Sequence, residues 1–169
     1  MLTLRCTRST RTRLRLPDLP EPPPSTGVLG DWHVHLIRSG HNQFVLATSE
    51  RSLLTLLLPA KELREKLAPN LKAALCALLE SLGISREAID REIAAMAPVT
   101  FGRATNRRVL GSMNDFAFQV AAHLAQGEGD LLAIAQSLAG TPMSAIGKEP
   151  GNLGFPDQLA IELLTAGTA

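Results

Sequence analysis

Strand-like patterning fills the first third of this chain and helical patterning takes over after Pro59, an order that constrains the fold more than any other feature. Leu2, Leu4 and Cys6 alternate with Thr3 and Arg5, which predicts a short first strand. Asp31–Arg38 and Gln43–Ser49 flank Ser39-Gly40-His41-Asn42, whose Gly and Asn tolerate the positive φ of a tight hairpin. Leu53–Leu58 adds a third meander strand, and Pro59 ends it because proline cannot donate to a ladder. Between the first strand and the hairpin, Pro17, Pro20 and Pro22–Pro24 impose an extended loop over residues 17–27. Thr7–Leu16 reads either as a helix, with Arg8, Arg11 and Arg15 on one face, or as an alternating strand.

Beyond Pro59 the apolar period lengthens to that of a helix. Lys61–Leu67 predicts one short helix, and Leu71, Ala74, Leu75, Leu78, Leu79 and Leu82 form the stripe of a second, starting after Pro69. Ser85 is the expected N-cap of the next, which buries Ile89, Ile93 and Met96 and stops at Pro98. Val99 and Phe101 suit one more strand. Ser112 is the expected cap of a helix with stripe Met113, Phe116, Ala117, Val120, Ala121 and Leu124. Asp130 opens a shorter helix ending at Gly140, residues 141–155 form a loop, and Pro156 sits in the first turn of a last helix. Strands followed by helices, without strict alternation, predict an α+β fold. In it a small, mainly antiparallel sheet from the N-terminal half is covered by helices of the C-terminal half.

A chain of 169 residues that is 45% apolar is long enough to bury a core as a single domain. No apolar run approaches the roughly 18 residues needed to cross a bilayer, so no membrane partner is expected and the cytoplasm is the default location. Cys6 and Cys76 are isolated, which excludes a disulfide framework and a zinc ribbon.

Polar groups concentrate in Thr105–Phe118, TNRRVLGSMNDFAF. Ser112 and Asp115 fit a capping pattern, and Gly111 would let a backbone approach closely. Capping leaves Arg107, Arg108 and Asn114 unexplained; with the free amides of a helix start they would suit an anion. Asp115 opposes that reading by charge. Asp31, His33 and His35 form a second constellation, three side chains on one face of a strand that would provide metal ligands. Only His41 and His123 supply further imidazoles, so solvent-facing or structural histidines are the simpler account. The N-terminal arginines Arg5, Arg8, Arg11, Arg13 and Arg15 would follow a phosphate backbone, but no aromatic residues interleave for base stacking. No Walker loop, dinucleotide fingerprint or nucleophile elbow occurs, so no cofactor is expected.

MLTLRCT at residues 1–7, the proline-rich loop, LGDW at 29–32 and VLGSMNDFA at 109–117 resemble a family of small bacterial proteins known as a domain of unknown function. The resemblance implies a bacterial, intracellular, single-domain protein and carries over no catalytic residues. TRSTRTRLRL, after the first block, departs from the lysine- and leucine-bearing amphipathic helix of such proteins, and HVH after LGDW departs as well.

The functional expectation is therefore a non-enzymatic binding or adaptor module. Thr105, Asn106, Arg107 and Arg108 would contact the partner, an anionic group, a nucleic-acid backbone or an acidic protein surface, and Gly111, Ser112, Asn114 and Asp115 would shape the turn. One alternative is a metal-dependent hydrolase or nuclease using Asp31, His33 and His35; another is a nucleic-acid-binding accessory protein.

Overall fold

The structure is a computed structural model that describes residues 1–18 and 20–166. Leu19, inside the expected proline-rich loop, and residues 167–169 lie outside the described residues. Five strands, β1 (Leu2–Cys6), β2 (Trp32–Ser39), β3 (Asn42–Ser49), β4 (Thr55–Pro59) and β5 (Val99–Arg103), form one sheet in the order β4-β3-β2-β1-β5. With six α-helices among the described residues, most of them in the C-terminal half, the fold is α+β. The meander β2-β3-β4 is antiparallel, as its turn residues predict, and Gly40 takes a φ of 58° in the two-residue hairpin. The first strand is different: β1 lies parallel to both β2 and β5, so the sheet is mixed.

β4 begins at Thr55, two residues later than the leucine run suggests. Leu53 adopts a left-handed φ of 59°, and Ser49 and Ser52 hold that turn through a 2.9 Å hydroxyl contact and bonds to Ser52 N and Leu54 N. The ambiguous segment after β1 is a helix, α1 (Arg8–Leu14). It buries Leu14, and the hydroxyl of buried Thr10 donates to the Val34 carbonyl and accepts from Leu36 N, which ties α1 to β2.

The two helices expected around Pro69 are one continuous helix, α2 (Leu63–Ser81). An interior proline costs about 3 kcal/mol through a lost hydrogen bond and a clash. Leu63, Leu67, Leu71, Leu75, Leu78 and Leu79 are all buried in one core cluster, and each buried leucine returns about 1.5–3 kcal/mol. Burial wins, so the helix runs through. Then come α3 (Arg86–Ala95), capped by Ser85 as expected, α4 (Arg107–Ala125), α5 (Leu131–Ala139), capped by Asp130, and α6 (Pro156–Ala166).

Two apolar clusters sit on opposite faces of the sheet. One face joins Leu2, Leu4, Trp32, Val34 and Leu56 to α2, α3 and α6. The other joins Leu46 and Leu57 to Val109, Met113, Phe116 and Val120 of α4 and to Ile134 of α5. The part of this second face that α4 leaves open, over β1 and β5, is covered by the proline-rich segment. Asp18 bonds both Arg11 and Arg103, at 2.7 and 2.6 Å, which pins the segment at the end of β5. Pro22 then lies over Gly102, where an added Cβ would meet its ring at 2.7 Å, and the Pro23 carbonyl accepts from Thr3 Oγ1. Only glycine admits so close an approach.

The start and outer face of α4

α4 does not begin where its serine suggests. Asn106 is the N-cap; its Oδ1 accepts from Arg108 N at 3.1 Å and Val109 N at 3.4 Å. Ser112 lies inside the helix, and its hydroxyl donates back to the Arg108 carbonyl at 3.0 Å. The helix is extended by Val109, which joins Met113, Phe116 and Val120 in the second core cluster. Gly111 is likewise helical and shapes no turn, while Asp115 is mid-helix and exposed.

The polar residues of this block divide into two groups. Asn106 and Arg108 converge on Glu50. The Asn106 amide donates to Glu50 Oε1 at 2.8 Å, and the Arg108 guanidinium donates to the carbonyls of Glu50 (2.5 Å) and Ala145 (3.2 Å). These bonds fasten the start of α4 to the β3–β4 connection and to the 141–155 loop. The cap occupies the amides of Arg108 and Val109, and Arg108 is committed to backbone oxygens.

The second group faces water. Arg107, Gly111, Asn114 and Asp115 are exposed along the outer face of α4, as is Thr105 just before it. Phe118 continues the same stripe and is 79% exposed, one of two large apolar side chains so placed among the described residues. Sequence reading passed it over, although the signal was present: Phe118 falls off the stripe of Met113, Phe116 and Val120. Surface clefts lie elsewhere. One of about 420 Å³ runs between the 146–155 segment and α6, and an apolar notch of about 260 Å³ lies between β4, α2 and α5.

Asp31, His33 and His35 do not form a ligand set. Asp31 is buried and saturated, with Oδ2 accepting from Arg5 Nε at 2.8 Å and Oδ1 from Ser25 N at 2.6 Å. His35 Nδ1 contacts Thr7 Oγ1 at 3.0 Å. His33 is 1% exposed and its Nδ1 has no partner. Burial holds both histidines below their ordinary pKa, and at His33 the nearby Glu50 and Asp31 carboxylates only partly oppose it. Among the described residues no group of three or more His, Cys, Asp or Glu is arranged to hold a metal ion.

The N-terminal arginines do not form a strip. Arg5 pairs with Asp31 and Glu21, Arg11 pairs with Asp18, and Arg8, Arg13 and Arg15 remain exposed on or just after α1. Cys6 is inert: burial pushes its thiol up to about 12. A buried acid that sequence reading missed is Glu92 on α3. Its carboxylate accepts from Val28 N at 2.8 Å and Leu29 N at 3.2 Å, and burial raises its pKa despite both bonds. No helix among the described residues is long and apolar enough to cross a membrane.

No curated protein and no solved structure matches this chain. A family model does match, over residues 3–159, and it spans the sheet, the helix start at Asn106 and the outer face of α4. The chain belongs to that family, DUF6933, a domain of unknown function.

Proposed function

We propose that this chain is a non-enzymatic protein-binding module of the bacterial cytoplasm whose recognition surface is the outer face of α4. The observation that carries this reading is the composition of that face. The exposed positions from 111 to 125 are Gly111, Asn114, Asp115, Phe118, Ala121, Ala122 and Ala125, a set with a single charge and an exposed phenyl ring. An ordinary solvent-facing helix surface is charged. On α3 of this same chain the exposed positions include Arg86, Glu87, Asp90 and Arg91. Docked faces have the opposite character: an aromatic anchor and few charges at the centre.

Arg107 stands at the start of the stripe and Asp115 in its middle, so the matching partner offers an apolar surface flanked by an acid and a base. That is a protein surface; a phosphate backbone has neither the apolar part nor the positive charge. Two unpaired cysteines, Cys6 and Cys76, fit a reducing compartment.

Site-specific photo-crosslinking in cells tests the reading. A crosslinker at Asn114 is expected to give discrete protein adducts that Phe118→Asp abolishes, whereas the same group at Arg64 on α2 gives none. Equal adducts from both positions, or adducts indifferent to Phe118→Asp, overturn it.

A further inference from the structure

We infer that a second copy of this chain docks on α4, the two helices running antiparallel about a two-fold axis beside Gly111. This rests on the reading of the α4 face as a docking surface and names the occupant of its first half, Arg107–Phe118. Gly111 is the first observation. An interior helical glycine costs about 1 kcal/mol relative to alanine. Nothing inside the chain repays that cost, since an added Cβ at Gly111 would meet no atom beyond the helix's own backbone within 4 Å. The residue is also exposed, so a Cβ is unwelcome only to something that approaches from outside.

Charge is the second observation, and it selects both the partner and the register. Arg107 and Asp115 lie four residues to either side of Gly111 on the exposed stripe, and neither forms an ion pair among the described residues. An isologous interface requires the same patch to complement itself. With the axis at Gly111, each Arg107 faces the partner's Asp115, twice over, and the two glycines let the helix backbones close. Phe118, two turns beyond Gly111, then falls opposite residue 104, just before the partner helix, and beside the aliphatic stem of the partner's Arg107. Sliding one copy to seat Phe118 over the partner's Gly111 would bring the two Asp115 carboxylates together beside the axis. Like charges disfavour that register.

Sedimentation equilibrium of the full chain, from about 1 to 300 µM, covers the range in which a small interface populates its dimer. The wild type is expected to rise from 18.1 kDa toward twice that mass. Asp115→Arg, which sets arginine against arginine, is expected to weaken association about tenfold or more. Adding Arg107→Asp to it restores opposite charges and brings association back to within about threefold of wild type, because the two sites couple. Gly111→Leu, with no neighbour inside the chain to disturb, abolishes the dimer and leaves the circular dichroism unchanged. A wild type that stays at monomer mass, or a charge swap that fails to restore, overturns the inference. Crosslinks from Asn114 to a different protein would then still uphold the docking reading, so the two failures are distinguishable.

Discussion

Replacing Gly111 with alanine is expected to stabilise the folded chain, an unusual direction for a substitution. The size follows from what the side chain would meet. The residue is exposed inside α4, its φ is not in the left-handed region, and no atom beyond the helix's own backbone lies within 4 Å of the new Cβ. No packing is gained or lost, so the effect reduces to helix propensity, about 0.8–1.0 kcal/mol in favour of alanine. Part of that gain comes from the narrower unfolded ensemble of alanine. At this chain length about 1 kcal/mol corresponds to a rise in Tm of about 2–4 °C. Urea unfolding followed by far-UV circular dichroism, at a concentration too low for self-association, measures it. The midpoint should rise with the m-value unchanged. A midpoint that stays or falls would refute the reasoning, because it would mean that the glycine serves a contact within the chain.

Phe116 and Phe118 are two residues apart and should behave oppositely on unfolding: Phe116→Ala opens the second core cluster and costs about 3–5 kcal/mol, while Phe118→Ala stays within about 0.5 kcal/mol. Equal losses would place Phe118 in the core. Glu92→Ala leaves the Val28 and Leu29 amides without an acceptor beneath α3 and should cost about 2–3 kcal/mol; chemical denaturation at pH 7 reads it, and a neutral result would show that burial of the carboxylate cancels its two bonds. His33 and His35 have folded pKa values below the unfolded value, so they bind fewer protons folded than unfolded in acid. The stability they confer is complete above the unfolded value near 6.5 and is lost as pH falls through their folded values, at up to about 1.4 kcal/mol per pH unit for each histidine still neutral. His33→Gln should flatten that slope, and a wild-type profile already flat from about pH 6.5 to 5 would remove the claim.

Local rules read well where a single side chain decides a local event. Ser85 and Asp130 cap the helices they were expected to cap, and the Gly40 turn joins β2 to β3. They fail where the deciding partner is distant. Asn106 and Ser112 are both good N-cap types, and the choice between them is made by Val109 in the core and by Glu50, 56 residues away from Asn106. Pro69 looks like a helix breaker until the leucines on both sides of it share one cluster. The parallel pairing of β1 has no sequence signature either, because its partner β5 sits beyond three helices.

The candidate site shows the same division. Arg108 stood out as unexplained polar charge, yet it is spent on two carbonyls that no pattern in the chain could announce. Phe118 is apolar, a type that usually points inward, but its position on the helix wheel places it outside. The face that remains is legible only once the interior has been filled and what is left over can be seen.

The position of β1 between β2 and β5 also sets the order in which this chain assembles. The hairpin β2–β3 closes over a two-residue turn, but Leu2 waits for Val99, 97 positions later, before its second edge is paired. Closing a loop of that length costs about 3 kcal/mol more entropy than closing a hairpin. Loop-closure entropy therefore predicts that the meander and α2 form before the sheet is complete and that β5 docks late. Until then β1 has one edge open, and it is this interval, more than the finished surface, in which the chain is exposed to mispairing.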